Sequence, residues 1–285
     1  MSENTNIKKI IFYVLLLVLL FCLLSKSHES GTKIPVISHS LTIETYPLET
    51  ETETQTETQT ETIPETTEPP PPPAEILLED IPYYSQEGLL PTGCEIVSAK
   101  MVLDYYVKHE TDIHDLINLL NCQYPQEIDG HTYAPHPKDA FIGIPEESSG
   151  FGCFSPIIVK ALNQLLPKQY QAVDLSGSEL SEIAETYLPQ GKPVLVWATI
   201  EMWETRNYLG WYLLDENGNP TDTWYDWQVN EHCMVLVGYD EQYYYFNDPY
   251  GSNGLIHFER PVVEDRYEQI GKYAAVVTEK QDTTK

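Results

Sequence analysis

The sequence predicts an α+β fold, in which helices come first along the chain and pack on a mostly antiparallel sheet that follows. Two observations indicate this order. Helix patterns begin near Thr92 and recur until about Leu188. From Val194 onward, short apolar runs alternate with turn signals such as Asn217-Gly218. Helices and strands that are segregated along a chain are typical of the α+β class.

The first 27 residues form an apolar segment that directs the chain to a membrane. Lys8 and Lys9 precede an unbroken apolar run from Ile10 to Leu24. This run is slightly short for a spanning helix, which needs about 17 residues or more, and long for a signal-peptide core. Residues 1–27 are therefore expected to be either a membrane anchor or a cleaved signal peptide. Both imply export, with the N-terminus inside because of the two lysines.

Residues 28–75 are rich in threonine, glutamate and proline, including the run from Pro69 to Pro73. Few apolar residues and excess negative charge predict a disordered linker that spaces the following domain away from a membrane. Residues 76–280 are expected to form one folded domain, with residues 281–285 as a tail.

Charge and cysteine content narrow the function classes. The net charge is −28, and the chain remains acidic after the linker, so a nucleic-acid-binding surface is excluded. The cysteines show no metal-type spacing, so neither a zinc site nor another cofactor is expected. Export permits a disulfide between Cys122 and Cys153, which the sequence does not decide. Cys233 lies in an apolar run and is expected to be a small buried residue.

The helical half follows from caps and periodicity. Ile81–Gln86 is expected to be a short strand or an extended segment, because Pro82 cannot donate to a ladder. Helices are predicted at Thr92–Lys108, at Ile113–Leu120 with Asp112 as its cap, at Ile157–Leu166 and at Ser178–Leu188. The Gly- and Pro-bearing stretch from Tyr124 to Pro156 is predicted to be a long loop.

The strand half begins with the apolar run Val194–Ile200, which is typical of a buried strand. Asn217-Gly218 predicts a hairpin between two arms that are rich in tryptophan. That hairpin is expected to pack on the sheet or, as the alternative, to present a contact face. Three further strands are predicted at Met234–Tyr239, Tyr243–Phe246 and Tyr273–Val277.

Cys94 is the leading candidate for a nucleophile. Thr92 and Glu95 match a T-x-x-E capping box, which would place Cys94 in the first turn of a helix. Unpaired N–H groups and the positive end of the helix dipole favour a thiolate there. The alternative is that Cys94 is an ordinary core residue.

Three other residues complete a hydrolytic arrangement. His232 stands at the head of a strand and could act as the base. Asp248 follows the next strand, and two adjacent antiparallel strands could bring its carboxylate to the second ring nitrogen of His232. Gln86 could contribute its amide to an oxyanion hole together with the Cys94 N–H. His257 is the best substitute base, and His131 and His136 could line a cleft.

Five motifs occur in one order along residues 76–278 and together resemble the peptidase C39-like domain family. They are Tyr83-Tyr84-Ser85-Gln86, Pro91-Thr92-Gly93-Cys94-Glu95, Phe141-Ile142-Gly143-Ile144-Pro145, His232-Cys233-Met234-Val235-Leu236-Val237-Gly238-Tyr239 and Asn247-Asp248-Pro249. This family is similar to the papain-like peptidases that process bacteriocin leaders. The resemblance implies a papain-like fold with Cys94 as nucleophile, His232 as base, Asp248 as orienting residue and Gln86 as oxyanion donor. Glu95 differs from the leader peptidases, which commonly carry glycine after the cysteine.

The sequence thus predicts an exported, surface-tethered cysteine peptidase that hydrolyses peptide or amide bonds through a thioester. Its expected partners are a peptide or protein substrate and the membrane. Two alternatives remain open. One is a cell-wall peptide hydrolase, and the other is a non-catalytic surface binding module on a papain-like shell.

Overall fold

The computed structural model of the chain describes residues 73–251 and 254–281. The predicted membrane anchor or signal peptide at 1–27 lies outside these residues, as does nearly all of the predicted linker at 28–75. Within the described ranges, no helix combines the length and the apolar character that crossing a membrane requires.

The described residues form five α-helices and thirteen strands. The helices are α1 (Cys94–Val107), α2 (Ile113–Ile117), α3 (Ser155–Leu165), α4 (Leu180–Tyr187) and α5 (Arg260–Ile270). The strands are β1 (Ile76–Leu77), β2 (Cys122–Gln123), β3 (Gln126–Ile128), β4 (His131–Ala134), β5 (Phe141–Ile142), β6 (Tyr170–Asp174), β7 (Val194–Thr199), β8 (Leu209–Leu214), β9 (Pro220–Trp227), β10 (Glu231–Tyr239), β11 (Tyr243–Asn247), β12 (Leu255–Glu259) and β13 (Ala274–Glu279).

The main sheet has the order β12-β11-β10-β7-β13-β6, and β1 pairs with the C-terminal end of β10. Every pairing in this sheet is antiparallel. Two smaller sheets, β2-β5 and β3-β4-β8-β9, lie outside it. The predicted α+β class with a mostly antiparallel sheet is therefore confirmed.

Strand β10 is buried along its whole length because helices cover both faces of the sheet. On one face, Cys233, Val235 and Val237 belong to the same apolar cluster as α1. On the other, Met234 and Leu236 pack with α4 and α5. Alternate residues of a strand point to opposite faces, so a continuous apolar run fits a strand covered on both sides. This arrangement holds the N-terminal end of β10 rigidly beside α1.

The aromatic hairpin is confirmed, with β8 and β9 joined around Asn217-Gly218 and Gly218 at φ +80°. Its tryptophans divide between the two expected environments. Trp211 and Trp227 are buried in the main core. Trp224 is 50% exposed, and Trp203, which precedes the hairpin, is 57% exposed.

Several elements differ from the prediction. The stretch Tyr124–Pro156, predicted as a loop, contains β3, β4 and β5. The prediction also missed β6, β12 and α5. These strands have two to five residues, too few to establish a period-2 pattern. Ile81–Gln86 forms no strand and is the extended segment that the sequence offered as the alternative.

Candidate active site

Cys94 is the first residue of α1, but the predicted capping box is wrong. Gly93 occupies the N-cap position and has no side chain with which to cap the helix. The Thr92 hydroxyl instead donates to the carbonyl oxygens of Ile144 and Glu147, at 3.3 and 3.0 Å. Glu95 Oε1 accepts the Cys153 N–H at 2.7 Å. The placement of Cys94 in the first helical turn was therefore right, although the residues proposed to cause it bind elsewhere.

Position 93 has no room for a side chain, because its backbone lies close to Leu90. A Cβ atom at position 93 would lie 2.5 Å from Leu90 Cβ, and Leu90 is only 2% exposed. We expect Gly93→Ala to lower the free energy of unfolding by about 1–3 kcal/mol through overpacking. Urea unfolding checks this prediction. A Gly93→Ala midpoint equal to that of the wild type would mean that the Leu90 turn adjusts freely.

The Cys94 thiol is buried beside acidic groups. It is 7% exposed, and its Sγ donates to Glu95 Oε2 at 3.3 Å. Burial raises the Cys94 pKa well above its usual value, and the charges of Glu95 and Glu231 raise it further, whereas the Cys233 backbone N–H lowers it. The prediction of a thiolate favoured by the helix start is therefore wrong for this state. Desolvation and neighbouring carboxyls outweigh the helix dipole.

His232 and Asp248 form the predicted contact. His232 lies at the N-terminal end of β10, Asp248 follows β11, and the two strands pair directly. His232 Nε2 lies 2.6 Å from Asp248 Oδ1, and the two residues are 2% and 7% exposed. Asp248 Oδ1 also accepts the Tyr250 N–H at 2.8 Å. This contact fixes the imidazole ring and leaves Nδ1 as the nitrogen that can exchange protons.

Gln86 is fixed between the Asp248 turn and the turn that leads into α1. Its backbone N–H donates to the Pro249 carbonyl at 2.8 Å. Its Nε2 reaches the Leu90 carbonyl only at 3.5 Å, and its buried Oε1 has no donor among the described residues. The Cys94 N–H belongs to the first helical turn, where no intrahelical acceptor exists. Among the described residues, the Cys94 N–H and Gln86 Nε2 are thus donors without a close acceptor.

The structure brings these four residues to one end of the sheet but does not join them all. Within the described ranges, no hydrogen bond links Cys94 to His232. The thiol bonds Glu95, and the imidazole bonds Asp248. Asp240, another acidic residue beside β10, follows the opposite end of that strand and accepts a hydrogen bond from the Tyr245 hydroxyl at 2.7 Å.

Within the described ranges, neither His232 nor Asp248 hydrogen-bonds to another histidine or to a cysteine. His131 packs against Tyr212 and His136 against Tyr225, with ring centroids 5.5 and 4.6 Å apart. His257 lies on β12, beside Tyr243. Cys122, Cys153 and Cys233 are free thiols, and Cys233 is fully buried as predicted.

A cavity of 470 Å³ opens beside Asp248. Its lining includes Glu201, Tyr250 and His257. This cavity offers space for part of a bound molecule next to Asp248, but neither His232 nor Cys94 lines it.

Two buried glutamates stand out at this site, and sequence reasoning missed their role. Glu95 was assigned only to a cap, and Glu231 was not considered. Glu95 is 0% exposed and Glu231 is 7% exposed. Burial raises the Glu95 pKa to about 7 and the Glu231 pKa well above its usual value. An acidic residue directly before His232, at the start of an apolar strand, was the signal that could have pointed to Glu231.

One donor atom from each of Cys94, Glu95 and Glu231 lies within 4.8 Å of the others. Among the described residues, this is the arrangement whose spacing would suit a metal ion. Both Glu95 oxygens, however, already accept hydrogen bonds, from the Cys153 N–H and from the Cys94 thiol. A metal bound to the Cys94 sulfur and Glu95 Oε2 would have to displace the thiol proton that now lies between them, so the contacts favour a proton as the compensating charge.

The raised Glu231 pKa predicts how stability depends on pH. Folding favours the protonated acid, so this contribution is complete below the ordinary glutamate pKa of 4.5 and is lost as pH rises above it. We expect Glu231→Gln to be more stable than the wild type at about pH 8, and the difference to shrink at about pH 5. Urea unfolding at both pH values measures it, with the exposed Glu182→Gln as control. An equal difference at both pH values would show that Glu231 does not titrate abnormally.

The α+β fold, together with a cysteine at a helix start and a histidine–aspartate pair on adjacent strands, defines a domain of the cysteine-peptidase type. The family model of the Peptidase_C39 like family matches residues 78–275, and the chain belongs to this family. The resemblance seen in the sequence is thereby confirmed.

The chain is also similar to several known proteins. The uncharacterized protein YvpB of Bacillus subtilis is 28% identical over 205 residues, which cover 70% of this chain and 74% of YvpB. A Bacillus anthracis crystal structure assigned as a C39-like peptidase is 25% identical and has a TM-score of 0.62, covering 73% of this chain and 99% of its own. Xylellain, a cysteine protease of Xylella fastidiosa, aligns at 14% identity over 74% of this chain and 87% of its own, with a TM-score of 0.39.

Proposed function

We propose that this protein is a cysteine peptidase that hydrolyses peptide or amide bonds through a thioester on Cys94. The observation that carries the proposal is the buried His232–Asp248 pair, with a nitrogen–oxygen distance of 2.6 Å, at the strand end beside the helix that begins with Cys94. A nucleophile, a proton-transfer group and its orienting carboxylate are the parts that acyl transfer requires. Family membership supports the same chemistry.

Each residue has a defined role in this reaction. Cys94 Sγ attacks the substrate carbonyl, and the Cys94 N–H and Gln86 Nε2 stabilise the oxyanion. A base in the site takes the thiol proton and returns it to the departing sulfur during hydrolysis. His232 donates a proton to the leaving amine and later takes one from the attacking water. Asp248 holds the imidazole through Nε2 and stabilises its charged form. The cavity beside Asp248 would receive part of the peptide chain.

We place this activity outside the cell membrane. The apolar segment at 1–27 would act as a single-pass anchor, or as a signal peptide if it is cleaved, in which case the protein is secreted. The acidic linker at 28–75 would hold the peptidase domain away from the membrane. The acidic charge of the chain makes cationic peptides natural substrates to include in an assay.

A peptide-library assay tests the proposal. The full-length protein is incubated with a mixed-sequence peptide library and with cross-linked cell-wall peptides, and mass spectrometry identifies new termini. We expect peptide cleavage that stops after alkylation of Cys94. Cleavage confined to the wall peptides would identify a wall hydrolase. Failure to cleave any peptide, in a folded protein whose Cys94 reacts with a small alkylating agent, would favour the binding module.

A further inference from the structure

The Cys94–Glu95–Glu231 cluster contains two buried carboxyl groups. The roles assigned above do not explain how their negative charge is compensated. The two carboxyl groups meet over Gly152, where a Cβ atom would lie 2.4 Å from Glu95 Oε1 and 3.3 Å from Glu231 Oε2. Cys153, Cys233 and His232 also lie close enough to interact electrostatically with the cluster, and Asp248 lies close enough to raise the pKa of Cys233. In the part of the chain that the structure describes, neither carboxyl pairs with lysine or arginine.

Two carboxyl groups in such a place cannot both be charged. Burial and mutual repulsion disfavour the doubly ionised state, so one proton is retained between them. Glu231 is the natural carrier of this proton. Its buried Oε1 has no donor among the described residues, whereas both oxygens of Glu95 accept hydrogen bonds. Glu95 is consequently the charged partner.

The resting thiol already points its proton at this charged partner. Cys94 Sγ donates to Glu95 Oε2 at 3.3 Å, and His232 is engaged with Asp248. The geometry therefore supplies a base for the thiol other than the histidine. It also leaves His232 free to serve the leaving amine and the water.

We propose that Glu95 accepts the proton of Cys94 as the thiol attacks, and that Glu231, which carries the shared proton, keeps Glu95 ionised. This inference rests on the proposed peptidase function. In the acylation step the S–H bond breaks, an O–H bond forms on Glu95, and the sulfur electron pair forms the S–C bond while the carbonyl electrons move to oxygen. His232, entering as imidazolium, protonates the amine that leaves. In hydrolysis, His232 takes a proton from water, and Glu95 returns its proton to the departing Cys94 sulfur.

The alkylation of Cys94 at different pH values tests this proposal without a peptide substrate. Full-length protein is treated with iodoacetamide, and the modified Cys94 peptide is quantified by mass spectrometry. When Glu95 ionises, part of the Cys94–Glu95 pair becomes thiolate and protonated acid. The Glu95 pKa of about 7 sets the midpoint. We expect the rate to rise about tenfold between about pH 6 and about pH 8 and then to level off.

Three variants distinguish Glu95 from His232 as the base that takes the thiol proton. Glu95→Gln keeps an acceptor for the Cys153 N–H but cannot take a proton, so the rate should rise about a hundredfold over the same range without levelling. His232→Asn and Glu231→Gln should both retain the levelled profile. The exposed Glu182→Gln is the matched control, and circular dichroism checks the folding of each variant.

Infrared spectroscopy of the wild-type protein at about pH 8 provides a measurement that needs no folded Glu95 variant. We expect the carbonyl stretch of one protonated carboxylic acid, which is lost in Glu231→Gln. Absence of this band in the wild type overturns the shared proton. Suppose that the alkylation rate of Cys94 still levels off with pH in Glu95→Gln but no longer does so in His232→Asn. That result overturns Glu95 as the base and leaves the proposed peptidase function intact.

Discussion

Cys94→Ala is expected to abolish peptide hydrolysis, lowering kcat/KM by about 10⁴-fold or more. The physical reason is that the proposed reaction proceeds through a covalent thioester, and alanine leaves no atom that can form it. The fold should survive, because the change removes one sulfur atom from a buried site. Hydrolysis of a cleaved library peptide measures the loss.

Cys122→Ala is the matched control for this prediction. Cys122 is a free, half-buried thiol on β2 and has no role in the proposed reaction. Its replacement should leave kcat/KM unchanged. If Cys94→Ala retained activity while Cys122→Ala lost it, the nucleophile would have been misassigned.

Asp248→Ala is expected to lower turnover by about 10²–10⁴-fold. Without the carboxylate, His232 loses its 2.6 Å contact, and neither the tautomer nor the ring orientation is fixed. Asp248→Asn should cost less, because an amide oxygen can still accept from Nε2–H. Kinetics on a cleaved peptide compare the two variants.

Asp240→Ala serves as the control for Asp248→Ala. Like Asp248, Asp240 lies in a turn that follows a strand, in its case β10, but it accepts a hydrogen bond from the Tyr245 hydroxyl. It should leave turnover unchanged. Equal turnover in Asp248→Ala and in the wild type would mean that His232 needs no carboxylate. The Tyr250 N–H also loses a partner in Asp248→Ala, so unfolding must be measured alongside.

The sequence predicted well the elements whose burial is nearly complete. Strands β7 and β10 are continuous apolar runs, and the hairpin turn at Asn217-Gly218 is specified by local backbone preference. The contact between His232 and Asp248 could also be predicted, because the pairing of β10 with β11 brings the two residues together. Short strands such as β2 and β5 depend on pairing partners that are distant in sequence, and the local pattern does not reveal them.

The environment of Cys94 could not be predicted from local sequence. Thr92 looked like a cap, but its hydroxyl binds carbonyl groups more than 50 residues away. The helix start suggested a lowered pKa for Cys94. Burial instead raises the Cys94 pKa, and the carboxyl groups of Glu95 and of Glu231, which comes from a distant strand, raise it further. The local sequence indicates how a helix dipole acts on the Cys94 pKa, but it does not reveal the desolvation that tertiary packing imposes.

Trapping the covalent acyl intermediate on Cys94 decides whether the proposed mechanism operates. The full-length protein is mixed with a peptide that it cleaves and quenched in acid during turnover, and its peptides are analysed by mass spectrometry. We expect the Cys94 peptide to carry the acyl half of the substrate, and no adduct to form in Cys94→Ala. Cleavage with the acyl group on another residue, or continued cleavage by Cys94→Ala, would contradict it.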